Sequence, residues 1–163
     1  MFKPKARFNR VTNITTEYLL KHEIKGVILD VDNTLIDWDE NPVEGVEDWV
    51  KSLKENGIKL CIASNSSKTG KVSRIASKLD IPYFYLSFKP LLRGLKKAKK
   101  ELNLDSKHIA EVGDQLFTDV VGANRMKMFS ILTTPLVGEK HFVSKIKRKI
   151  ESLFTKNIEF TKE

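Results

Sequence analysis

The chain has 163 residues, 40% of them hydrophobic and 31% charged, a balance that fits one globular unit and excludes a disordered chain. No run approaches the ~18 apolar residues that a membrane-spanning helix needs, and the basic opening MFKPKARFNR lacks the apolar stretch of a signal peptide. The net charge of +8 favours acidic partners (nucleic acid, an anionic membrane or a phosphorylated molecule), and a single cysteine, Cys61, excludes an internal disulfide and fits a reducing compartment.

The first predicted strand is IKGVILDV, residues 24–31, which runs into Asp30 and Asp32. NPVEGVEDWVKSLKENG then predicts a helix with Asn41 as N-cap, Pro42 at its first position and Glu44 completing a capping box. Val43, Val46, Val50 and Leu53 make its apolar stripe and Gly57 its stop. IKLCIAS (58–64) is the second strand, with Cys61 a small buried hydrophobe. Val72, Ile75, Ala76 and Leu79 mark the next helix, and YFYLS (83–87) the third strand. Leu91, Leu95, Ala98 and Leu102 stripe another helix before the fourth strand, HIAEVG (108–113). Val120 and Ala123 lie in a short helix, and MFSILT (128–133) is the fifth strand. A last helix at about 139–154 places Phe142, Val143, Ile146, Ile150 and Leu153 on one face and Lys145, Arg148 and Lys149 toward the other, and it is expected to pack on the domain by its apolar face, with a membrane-surface role as the alternative. Basic residues gather in the first ten positions, at 89–100 and at 140–150, where a solvated helix face is the plain reading of any single cluster.

Near-continuous apolar strands alternating with amphipathic helices predict the α/β class: a doubly wound parallel sheet with helices on both faces. Ligands of such sheets bind at the carboxyl ends of the strands. Four sets of polar residues fall there: Asp30-Val31-Asp32-Asn33-Thr34, Ser64-Asn65-Ser66, Lys89-Pro90, and Gly113-Asp114 with Asp119 shortly beyond. Each set alone has a bland explanation, such as a helix cap, a turn or a solvated charge. A calcium loop beginning at Asp30 is excluded, because its sixth position is Leu35 rather than Gly and its twelfth is Asn41 rather than Glu. The ordered recurrence at four strand ends is what points to chemistry.

VILDVDNTLI, ASNS, KP and GDQLFTD resemble, in order, the four motifs of the haloacid dehalogenase superfamily, over residues of about 24–133. The short interval from Asp30 to Ser64 resembles subclass IIIA, and FKP with GDQLFTDVVGANRMKM is similar to the bacterial YqeG type, a branch related to a yeast mitochondrial phosphatase of phosphatidylglycerophosphate. The resemblance implies one domain over 1–163 with a Rossmann-like core and no large cap, to which residues 1–23 and the helix at 139–154 are additions.

It also implies a Mg²⁺-dependent phosphomonoesterase. Asp30 is expected as the nucleophile that becomes an aspartyl-phosphate, and Asp32 as the acid and base. Asp30, the Asp32 carbonyl, Asp114 and Asp119 are the expected cation ligands. Ser64 and Asn65 are expected to hold phosphate oxygens, and Lys89 to balance their charge. Thr34 is expected to close a turn, and Trp38 to touch a head group or to pack on the first helix. An open site beside basic clusters favours phosphatidylglycerophosphate at an anionic membrane, with the chain in the cytoplasm or at the inner face of the membrane. Phosphatases of nucleotides, sugar phosphates or nucleic-acid ends are the alternative within the chemistry. A non-catalytic module binding RNA or the ribosome is the alternative outside it.

Overall fold

Six parallel strands form the centre of the molecule in the computed structural model, which describes residues 1–85, 92–138 and 142–162. They are β1 (Ala6–Phe8), β2 (Gly26–Leu29), β3 (Lys59–Ser64), β4 (Tyr83–Tyr85), β5 (Ile109–Gly113) and β6 (Phe129–Thr133), in the spatial order β1-β6-β5-β2-β3-β4. The helices are α1 (Thr16–Lys21), α2 (Val46–Glu55), α3 (Thr69–Leu79), α4 (Arg93–Leu102), α5 (Val121–Arg125) and α6 (Phe142–Thr155). Leu86 and Ser87 of the third expected strand, and Leu91 of the helix after it, lie outside the described residues.

Both sheet faces are covered, which is why β2 reads as an unbroken apolar run. Val27 and Leu29 face the layer of α2 and α3, where Val46, Trp49, Val50, Leu53, Val72, Ile75, Ala76 and Leu79 are buried. Ile28 and Cys61 face the layer of α4 and α5, against Leu95, Ala98, Leu102 and Ala123. Each aliphatic side chain buried this way contributes roughly 1.5–3 kcal/mol. Winding reverses between β2 and β5, so the loops leaving these neighbouring strands diverge and open a crevice at their carboxyl ends.

Three elements depart from the sequence reading. Residues 1–23 supply β1, which pairs in parallel with β6, and Phe8, Val11, Ile14 and Leu19 join the core under α2, whose Trp49 indole donates to the Ile14 carbonyl at 2.8 Å. The second departure is the start of α2 at Val46, behind Gly45 in the left-handed region (φ +77°), rather than at Pro42. The loop before it has better uses for its backbone. Asn41 binds the Asp37 carboxylate through its backbone N–H (2.9 Å) and side chain (3.1 Å), Pro42 bridges to Ile36, and the Val43 N–H donates to Leu35. Asn41 therefore caps nothing, and the expected box with Glu44 does not form.

The third departure concerns α6, which packs on the domain by the face opposite to the one expected. Lys147, Arg148 and buried Glu151 point inward, while Phe142 (76%), Val143 (77%) and Leu153 (73%) are exposed. Buried polar groups at the sheet edge need partners, and the polar side of α6 supplies them.

Candidate active site

Asp30 directly follows β2, and its N–H continues the ladder to the Val112 carbonyl of β5 at 2.9 Å. Asp114 follows β5 on the adjacent strand, and Asp119 comes back from the helical turn 116–120. All three carboxylates are buried, and one oxygen from each lies within 4.8 Å of the others. Gly113 makes this convergence possible: a Cβ there would stand 2.2 Å from the Asp119 carboxyl carbon. The Asp119 Oδ2 also accepts the Gln115 N–H at 3.0 Å, which fixes its direction.

Three buried carboxylates this close are unfavourable unless positive charge joins them. Burial pushes the Asp114 carboxyl well above the usual carboxylate range, and Asp30 and Asp119 add to the rise while Arg148 opposes it. Arg148 of α6 grips the Oδ2 of Asp114 and its backbone carbonyl, and the Thr34 hydroxyl lies 3.3 Å from the Oδ1. Hard oxygen donors converging on one point are the donor set of a divalent cation such as Mg²⁺. Asp30, Asp114 and Asp119 fit such an ion.

Asp32 lies apart from this cluster. It is half-buried, and its carboxylate contacts the Lys71 ammonium of α3. Lys71 stands 5.9 Å from the centre of the Trp38 ring, and the Trp38 indole donates to the Gly138 carbonyl at 2.9 Å. A cavity of about 460 Å³ opens there, lined by Asp32, Trp38, Asn65, Lys68, Lys71 and Arg74 among others. Ser64 ends β3 with its hydroxyl buried, accepting the Ser66 N–H at 3.1 Å, and Asn65 is exposed at the rim. Lys89 and Pro90 lie outside the described residues.

A family model of haloacid dehalogenase-like hydrolases matches residues 38–127. A Bacillus subtilis protein described as "Probable phosphatase YqeG" is 34% identical over 151 residues, covering 92% of this chain and 87% of that one. The chain belongs to the haloacid dehalogenase-like hydrolases. Solved structures share the fold: an uncharacterized Listeria monocytogenes protein superposes with a TM-score of 0.57 at 18% identity, over 83% of this chain and all (100%) of that one. A candidate HAD family hydrolase from Streptomyces avermitilis does so with a TM-score of 0.54 at 21% identity, over 77% and 78% of the two chains.

Against this dehalogenase-like frame, several residues were missed or misplaced by sequence reasoning. Thr34 does more than close a turn, since its hydroxyl reaches Asp114. Asn33 sits at φ +61° and pairs both ways with the Val137 backbone, at 3.0 and 3.1 Å, tying the loop after β2 to the loop after β6. Asn directly after Asp32 was a readable signal, because asparagine tolerates the left-handed region. The Trp38 indole binds the Gly138 carbonyl and its ring stands beside Lys71. Arg148, on the polar face of α6, points inward to Asp114. Lys71 carried no local signal, because its meaning comes from contact with a distant loop. The basic cluster at 96–100 lines a groove with Lys25 and His108, which precede β2 and β5, so it lies at the opposite edge of the sheet from Asp30.

Proposed function

We propose that this haloacid dehalogenase-type phosphatase is a Mg²⁺-dependent phosphomonoesterase acting on phosphatidylglycerophosphate at an anionic membrane surface. The observation that carries the chemistry is the buried convergence of Asp30, Asp114 and Asp119 with Asp32 on the neighbouring turn. Asp30, Asp114, Asp119 and the Asp32 carbonyl would hold the ion, which supplies charge neutralisation to the phosphoryl oxygens. An Asp30 oxygen attacks phosphorus, and the bond to the ester oxygen breaks as Asp32 donates a proton to it. Asp32 then takes a proton from water as the water oxygen bonds to phosphorus and the Asp30 carboxylate departs, releasing inorganic phosphate. Ser64 and Asn65 hold phosphoryl oxygens, and Lys89 balances their charge.

The lipid reading is supported by α6. Among the described residues no helix is long and apolar enough to cross a membrane. Yet Phe142, Val143, Ile146, Ile150 and Leu153 form an exposed apolar stripe on a helix whose inner face contacts Asp114. Exposed Lys145 and Lys149 flank the stripe, a pattern that suits a helix lying in the surface of an anionic bilayer. Each such lysine contributes about 1 kcal/mol at that surface.

The test is phosphate release from phosphatidylglycerophosphate in mixed micelles beside an aryl phosphate, with co-sedimentation on anionic and neutral vesicles. Preference for the lipid, with binding to anionic vesicles that Ile146→Ser/Ile150→Ser weakens, supports the reading. Release from the aryl ester alone keeps the chemistry and removes the lipid.

A further inference from the structure

Whatever alcohol leaves from phosphorus must touch Asp32, the group that protonates it. The rest of the leaving alcohol therefore extends toward the Asp32 side of the site, away from the three-carboxylate cluster. The cavity of about 460 Å³ lies on that side, between the Trp38–Glu40 loop and the first turns of α3. Its cations recur at every third position: Lys68, Lys71 and Arg74, which puts them on one side of the helix. Asp32 and Glu40 are the acids facing them, and Glu40 pairs with Arg74 at 2.6 Å. Lys71 is only 11% exposed, with its ammonium against Asp32 and the Trp38 ring beside it.

We infer that this cavity is a leaving-group subsite that takes a second anionic group, a phosphodiester, phosphate or carboxylate carried by the alcohol part of the substrate. The inference rests on the phosphomonoesterase reading and adds a specificity device to it. Three cations outnumber the two carboxylates there. An anion on the leaving alcohol gives the buried Lys71 ammonium a further partner in the cavity, beside Lys68 and Arg74. The leaving-group charge thus raises kcat/KM through contacts apart from the reacting phosphorus. Phosphatidylglycerol, the alcohol released from the proposed lipid, carries such a phosphodiester, and soluble bisphosphates share the chemistry.

The test compares glycerol 3-phosphate, deacylated glycerophosphoglycerol phosphate, micellar phosphatidylglycerophosphate and fructose 1,6-bisphosphate with the full chain and Mg²⁺. Wild type is expected to turn over the anion-bearing esters with a kcat/KM at least about tenfold above that for glycerol 3-phosphate, the equivalent of one charge-assisted contact. That ratio collapses in Lys71→Met and in Lys68→Gln/Arg74→Gln, and because a ratio is read, a general loss of activity cancels. Greater activity on the lipid and its deacylated head group than on the sugar bisphosphate assigns the anion to a lipid source, and the reverse to a soluble one. Equal kcat/KM on all esters, or a preference that persists in both variants, overturns the subsite. Calorimetric binding of glycerophosphoglycerol, the product alcohol, separates the two readings. Lys71-dependent binding without turnover leaves the subsite standing and sinks the phosphatase reading. Turnover without such binding or preference does the opposite.

Discussion

Gly113→Ala isolates the geometry on which the cation site depends. Gly113 is not among the residues with positive φ, so alanine suits its backbone. By itself this exchange stabilises a chain by about 0.4–1 kcal/mol through the unfolded state. The new Cβ, however, would lie 2.2 Å from the Cγ and Oδ2 of Asp119 and 2.6 Å from its Cβ. Carbon atoms pack at about 3.5–4.0 Å, so Asp119 or the end of β5 must move by more than ~1 Å. Overpacking of this kind costs about 1–3 kcal/mol. The net loss of stability is then small, roughly 0–2.6 kcal/mol by difference. A displacement of ~1 Å at a reacting centre, by contrast, costs about 100-fold in rate. Urea denaturation should therefore show a modest loss, while Mg²⁺ affinity by calorimetry and turnover fall steeply. Gly113→Ala/Asp119→Gly removes every Asp119 side-chain atom that the new Cβ meets, so it should relieve the clash without regaining activity, a coupling expected between touching residues. Wild-type Mg²⁺ affinity and turnover in Gly113→Ala would refute the reasoning.

Other consequences follow from the same contacts. Arg148→Ala leaves buried Glu151 and Asp114 without their guanidinium partner and should cost about 3 kcal/mol in chemical denaturation; a loss below the error of the measurement would count against the contact. Burial holds the Asp114 carboxyl above its ordinary value of 3.8, so the cation-free fold keeps a proton that the unfolded chain gives up. Its stability should accordingly fall as pH rises from 3.8 through the raised native value. Mg²⁺ should reverse that slope by binding only the ionised cluster, and melting curves in EDTA and in Mg²⁺ between pH ~5 and ~8 read both trends. Burial pushes the Cys61 thiol up to about 12, so iodoacetamide should label it only after denaturation, and labelling of the native protein would contradict its place in the core.

The sheet was legible because its strands are apolar on both faces, a pattern that survives without any knowledge of pairing. The meeting of Asp30, Asp114 and Asp119 was legible for the same reason: each stands at or just beyond the carboxyl end of a strand, and β2 and β5 are neighbours. β1 was not, because three residues with Arg7 at the centre carry no strand signal until β6 is beside them. The start of α2 was misread because Asn41 and Pro42 satisfy helix-entry rules equally well in a turn, and Asp37 claimed Asn41 first. In α6 the amphipathic pattern located the stripe but could not say which side the domain would accept. A buried carboxylate at Asp114 selected Arg148 over Phe142 and Val143. Lys71 became visible only once the loop after β2 was folded over α3.

The measurement that bears most directly on the proposed chemistry is rapid acid quenching of the enzyme during turnover of a ³²P-labelled monoester, followed by borohydride reduction and tandem mass spectrometry of the tryptic peptide 26–51. Borohydride converts an aspartyl-phosphate to homoserine. The account predicts labelled protein in the quench, homoserine at position 30, and neither in Asp30→Asn. Label and turnover undiminished in Asp30→Asn, or homoserine at Asp32 instead, would contradict it.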